Sequence, residues 1–129
     1  MLWPRFHAEA GTGAKVDPIL TVNDNSLVVR IDFAGRRVLF TGDIEEEAEE
    51  LLVARDSEAL RADVVKVPHH GSRTSSSALF VRATEALVAV VSCGRANRFG
   101  FTDRGVQQRW AETADLVLRT DDVGSITLT

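Results

Sequence analysis

The sequence predicts an α/β fold, one mixed β-sheet with about three helices, and three observations carry that expectation. Leu27, Val29, Ile31 and Phe33 alternate with Val28, Arg30 and Asp32, the period of a strand. Segments of helical and strand spacing then take turns to the end of the chain. Val38-Leu39-Phe40 and Leu87 to Val91 are apolar at consecutive positions, so both faces of those strands need cover.

Residues 1–22 read as an irregular lead-in, with a short strand at Leu2-Trp3 and Gly11, Gly13 and Pro18 marking irregular backbone. The strand from Ser26 to Phe33 turns at Ala34-Gly35-Arg36 into a second, Arg37 to Phe40, which makes a hairpin. Ile44, Ala48, Leu51 and Leu52 repeat at helical spacing as far as Arg55. Asp63 to Val67 is a strand, Ser77 to Thr84 a helix, and Leu87 to Cys93 a buried strand. Asp103 to Thr113 is a helix, Asp115 to Arg119 a strand, and Asp121-Asp122-Val123-Gly124 turns into a last strand, Ser125 to Leu128. No linker or repeat divides residues 1–129, which are expected to form a single unit.

Composition excludes several function classes. A net charge of -4 and a pI near 5.3 are not the footprint of a protein that grips nucleic acid by bulk charge. The longest apolar run, Ala86 to Val91, is far short of the ~20 residues that cross a bilayer, and MLWPRFHAEA does not read as a secretory signal, having no basic stretch followed by an apolar one. The lone Cys93 excludes a disulfide framework and is expected to be a small buried hydrophobe. Glu45, Glu46, Glu47, Glu49 and Glu50 read as the solvated face and first turn of a helix, where carboxylates complement the macrodipole. Trp3 and Trp110 read as packing residues rather than platforms for bases.

Two stretches carry candidate chemistry. In TGDIEEE, Asp43 precedes a helix with Glu46 three residues on, the pattern of a capping box. A carboxylate at a strand end can also bridge two metal ions, and the two roles are compatible. In VPHHGS, His69 and His70 follow a strand across Pro68, with Gly71 allowing close approach of a ligand. They are either exposed turn histidines or neutral imidazole ligands for zinc or manganese. If the strands ending at Phe40 and Val67 run parallel, Asp43 and one histidine come within reach of one ion.

NDNSLVVRIDFAGRRVLFTGDIEEEAEELL, ADVVKVPHHGSRTSSS, VVSCGRANRFG and VLRTDDVGSITLT, in that order, resemble the C-terminal half of a metallo-β-lactamase-fold domain. The likeness is to the domain that ends the ComEC family of DNA-uptake competence proteins, and it runs from about Asn23 onward. It implies half of an αββα sandwich, in a metal-dependent hydrolase that cleaves phosphodiesters during DNA uptake. It implies that Asp43 is the bridging aspartate and that one of His69 and His70 is the next ligand, for two zinc or manganese ions in the intact domain. It also implies a parent in the bacterial cytoplasmic membrane, with this segment as a soluble domain, and DNA as partner.

The pattern is incomplete. The superfamily's His-x-His-x-Asp-His motif is absent, and the only other histidine, His7, reads as a surface residue. Phe101 and Thr102 stand where the family has a histidine and a proline. This segment alone is therefore expected to bind metal weakly or not at all and to lack activity, with the preceding half of the domain as its missing partner. Its uncovered inner sheet face is expected to pair two copies as a homodimer. Arg73, before a serine-rich helix start, and Asn97 and Arg98, in GRANRFG, are candidate substrate-binding residues. The alternatives are a degenerate non-catalytic scaffold or binding module, or a hydrolase of another substrate.

Overall fold

The computed structural model describes residues 1–4 and 17–128. The expectations placed on His7, Gly11 and Gly13 lie outside the described residues. Five strands form one sheet in sequence order: β1 (Val29–Phe33), β2 (Arg36–Phe40), β3 (Val64–Lys66), β4 (Val88–Val91) and β5 (Leu116–Arg119). Strands β1 and β2 are antiparallel across a turn whose two central residues, Ala34 and Gly35, both have positive φ. That backbone matches the twist of a tight hairpin. The pairs β2–β3, β3–β4 and β4–β5 are parallel.

Parallel neighbours need crossovers, and helices supply them. Helix α1 (Glu46–Asp56) joins β2 to β3, α2 (Ala78–Thr84) joins β3 to β4, and α3 (Arg104–Thr113) joins β4 to β5. With the strands in sequential order, crossovers of the usual right hand put all three helices on one face of the sheet. On that face Leu39, Val65, Ala89 and Val91 are buried in one core with Ala48, Leu52, Phe80, Val81, Val106 and Trp110. Trp3 bridges Val28 as an isolated antiparallel pair and caps the core beyond β1.

The other face is apolar and carries no helix among the described residues. Register places Ile31 and Phe33 of β1, Val38 and Phe40 of β2, Val64 of β3, Val88 of β4 and Leu116 of β5 on it. Phe33 is 79% exposed, and Ile31, Phe40 and Leu116 are 49%, 46% and 48% exposed. The apolar phase of β1 read from the sequence therefore points away from the helices.

The C-terminal end differs from the sequence expectation. Thr120–Val123 forms a short helix, α4, and Ser125 to Leu128 joins no strand. Thr120 explains the diversion: its hydroxyl donates to the Cys93 carbonyl and accepts from the Cys93 N–H. Arg119 then grips both carboxylate oxygens of Asp121, at 3.0 and 2.6 Å, and the chain turns at Gly124 (φ 78°). Leu128 instead lines a groove of about 600 Å³ on the open face with Ile31, Phe33, Val64 and Val88.

Candidate metal centre

The tips of β2, β3 and β4 lie side by side, and each carries one part of the candidate site. Thr41-Gly42-Asp43 follows β2. Gly42 has φ +59°, and a Cβ there would meet the Ser26 side chain at 2.7 Å, so the turn needs glycine. Pro68-His69-His70-Gly71 follows β3 as one tight turn. The Thr41 hydroxyl donates to the Lys66 carbonyl at 2.7 Å, and the His69 N–H donates to the Gly42 carbonyl at 3.2 Å. These two bonds fix the turns to each other.

Both histidines have positive φ, 45° and 54°, a conformation that a β-substituted residue adopts only under surrounding constraint. Its effect is to send the two rings different ways. The His70 Nδ1 lies 2.6 Å from the Ser92 carbonyl, beyond the tip of β4. A carbonyl only accepts, so Nδ1 carries the proton and Nε2 of the neutral ring presents its lone pair. That lone pair faces the Asp43 Oδ1 at 3.6 Å. Two acceptors facing across such a gap call for a proton or a cation between them. Ligands about 2.1 Å from a tetrahedral ion lie roughly 3.4 Å apart, so the spacing suits one edge of a metal shell.

His69 turns away from that gap. Its Nδ1 is buried, has no hydrogen-bond partner, and lies 3.4 Å from the Glu45 Oε1. Glu45 is itself held by the hydroxyls of Thr74 (2.6 Å) and Thr21 (3.2 Å). Asp43 and His70 therefore fit a metal as one edge, while among the described residues no group of three histidine, cysteine, aspartate or glutamate side chains converges on an ion. The donor set supplied by the described residues is partial.

Lys66 was missed in the sequence, although a charge at the end of the apolar strand VVKV was its signal. Its ammonium donates to the Gly42 carbonyl at 3.0 Å and sits 3.5 Å from the Asp43 Oδ1. Burial pushes its pKa down, against the opposing pull of Asp43.

The capping reading of Asp43 is corrected. Helix α1 starts two residues later than that reading requires, with Glu45 at the N-cap and no side-chain cap from it. The free N–H groups of Glu45 and Ala48 are taken instead by the buried carboxylate of Asp24, at 2.8 and 3.3 Å. Asp43 is thereby released from helix duty.

The acidic block is the exposed first turn expected at Glu46 and Glu47, and is corrected at Glu49. Glu49 is completely buried, and its carboxylate accepts the N–H groups of Ser76 and Ser77 at 2.5 and 2.7 Å. Burial raises its pKa, with those two bonds opposing the rise. Ser76 has φ +61°, and its hydroxyl accepts from the Trp110 indole at 3.0 Å. Glu49 and Trp110 thus anchor the serine-rich arc that runs out of the histidine turn.

The remaining candidates are spread around this centre. Arg73 is exposed on that arc. Asn97 spends its side chain on the loop itself: its amide donates to the Gly94 and Phe101 carbonyls and its oxygen accepts the Phe101 N–H. Arg98 lies over the Phe99 ring, 4.9 Å from its centroid. Phe101 stacks on His70 at 6.0 Å between centroids and stands 5.8 Å from His69. Asp103 caps α3 through the N–H groups of Gly105 and Val106, and Cys93 is half-buried with its pKa raised by burial.

Residues 8–95 match the metallo-beta-lactamase superfamily, and the chain belongs to that family. Membership implies metal ions in general. The chain is 38% identical over 104 residues to "Competence protein ComA" of Neisseria gonorrhoeae. It is 36% identical over 104 residues to "ComE operon protein 3" of Bacillus subtilis, which bears out the resemblance to the ComEC family. An uncharacterized Escherichia coli protein, YcaI, is 36% identical over 88 residues. These matches cover 81%, 81% and 68% of this chain but only 15%, 13% and 12% of the relatives. No solved structure gives a significant match. No helix among the described residues is long and apolar enough to cross a membrane.

Proposed function

We propose that this chain is one wall of a binuclear metal site that hydrolyses phosphodiesters, in a protein acting in DNA uptake. The observation that carries the reading is the Asp43–His70 edge, with the His70 lone pair oriented by the Ser92 carbonyl. Asp43 and His70 would hold the metal from this side, while His69 is turned to Glu45 and supports the turn. A bound zinc or manganese ion supplies a nucleophilic hydroxide and stabilises charge on the phosphate. Lys66 approaches the same Asp43 oxygen that faces His70 and offsets its charge, and Ser92 fixes the His70 tautomer.

Residues 1–129 form one unit, the C-terminal half of a metallo-β-lactamase-like domain, whose other half supplies the remaining ligands and covers the open face. By itself the chain is inactive and pairs through that face as a homodimer. In the whole protein the unit is a soluble domain attached to the cytoplasmic membrane, with DNA as substrate. The test is a nuclease assay with added manganese or zinc on the longer protein. Asp43→Asn and His70→Ala each abolish cleavage while His69→Ala retains part of it; full activity in Asp43→Asn rejects the reading.

One observation favours a second reading, a non-catalytic scaffold. Phe101, an apolar ring, stands against both histidines where the family has a histidine. Absence of metal-dependent cleavage of any phosphodiester by the longer protein would favour it.

A further inference from the structure

Lys66 is a charge set into an otherwise apolar strand. Alternation along β3 puts Val65 in the core and Val64 and Lys66 on the open face. Register sets Lys66 between Phe40 of β2 and Val90 of β4, so its stem lies along apolar surface and only its head reaches the strand tips. There the ammonium has two partners, the Gly42 carbonyl at 3.0 Å and the Asp43 Oδ1 at 3.5 Å. That Oδ1 is the oxygen that also faces the His70 Nε2, at 3.6 Å. The lysine side chain is 23% exposed, so little water shares its charge.

We propose that Lys66 is an internal counter-cation: its ammonium neutralises Asp43 in the metal-free chain and competes with a divalent cation for the Asp43 Oδ1. The inference rests on the reading of Asp43 and His70 as one edge of a metal shell. An imidazole lone pair and a carboxylate oxygen that face each other repel, and the ammonium beside them supplies the positive charge that holds the carboxylate in place. The same charge opposes a second cation at that oxygen. Even at the dielectric of water, a unit charge about 4 Å from a divalent ion weakens its binding by more than about tenfold. Lys66 therefore tips a partial donor set against the ion, and the balance reverses only where further donors join. One side chain trades stability of the metal-free turn against metal affinity.

Lys66→Met keeps the apolar stem and removes the charge, whereas Lys66→Arg keeps the charge. Zinc binding to both variants and to wild type is measured by isothermal titration calorimetry below their melting temperatures. The expected result is an affinity at least about tenfold higher in Lys66→Met, no gain in Lys66→Arg, and a lower melting temperature for metal-free Lys66→Met. In the Asp43→Asn background the gain disappears. Equal or weaker zinc binding in Lys66→Met overturns the proposal, as does a gain that survives in Asp43→Asn, or no binding by either Lys66→Met or wild type. A second measurement needs no variant of altered charge. Lys15 and Lys66 are the only lysines in the sequence, so in 13C-lysine-labelled wild type the Lys66 ε-carbon signal is identified by its loss in Lys66→Arg. Millimolar zinc is expected to shift that signal, and a Lys66 signal that stays in place overturns the proposal. Zinc affinity unchanged by Asp43→Asn alone rejects the metal edge and this inference together. A gain in Lys66→Met with no cleavage by the longer protein supports the inference and rejects the hydrolase reading alone.

Discussion

Glu49→Ala tests whether a buried carboxylate anchors the arc that leaves the histidine turn. The wild-type carboxylate takes two backbone N–H groups, and the substitution leaves both buried without an acceptor. Each orphaned donor costs about 1–3 kcal/mol, so the pair costs roughly 2–6 kcal/mol. Relief of the buried charge offsets part of that cost. The net expectation is a destabilisation of about 3 kcal/mol, read as a fall in the urea midpoint at pH 7. The sign of its pH dependence follows from the raised pKa. A carboxyl raised in the folded state contributes stability that is fully present below its unfolded value of 4.5 and lost as pH rises through the folded one. The gap between wild type and variant therefore narrows from pH 4.5 to pH 7.5. A loss under about 1 kcal/mol, or a gap that widens with rising pH, refutes the anchoring argument.

Asp24→Ala removes the remote cap of α1 and is expected to cost about 1–2 kcal/mol in the same urea assay, with Asp43→Ala costing less. Phe101→His places an imidazole against His69 and His70 and is expected to raise zinc affinity at least about tenfold over wild type, measured by isothermal titration calorimetry. Asp121 is held down to about 2 by the Arg119 guanidinium. Its contribution is present above 3.8 and lost as pH falls through about 2, so Asp121→Asn costs about 1 kcal/mol at pH 7, after allowance for solvent screening, and nothing by the acid end of the titration.

Local pattern made much of the fold legible. Alternation from Leu27 to Phe33 and the unbroken apolar runs gave strands within three residues at each end, because those signals depend on the chain's own periodicity. What escaped depended on partners distant in sequence. Asp43 carried a capping pattern, but Asp24, well upstream, takes the Glu45 N–H and the Thr74 carbonyl takes that of Glu46. Glu49 looked like one more solvated carboxylate until the serine arc folded over it. The adjacent histidines were equivalent by type. Only the register of β3 beside β4 brings the Ser92 carbonyl to one of them. Ser125 to Leu128 had the composition of a strand, yet the Thr120 and Asp121 contacts steer the backbone away from β5.

The bare face around Phe33 and Ile31 also makes the protein's heat resistance a matter of mass action. Any species that seats there binds the native chain and not the unfolded one, so it shifts the equilibrium by an amount set by its own free concentration. If the seated species is a second copy, melting temperature climbs as the protein is concentrated and sinks on dilution. If it is a different molecule, melting is flat in protein and climbs only when that molecule is added.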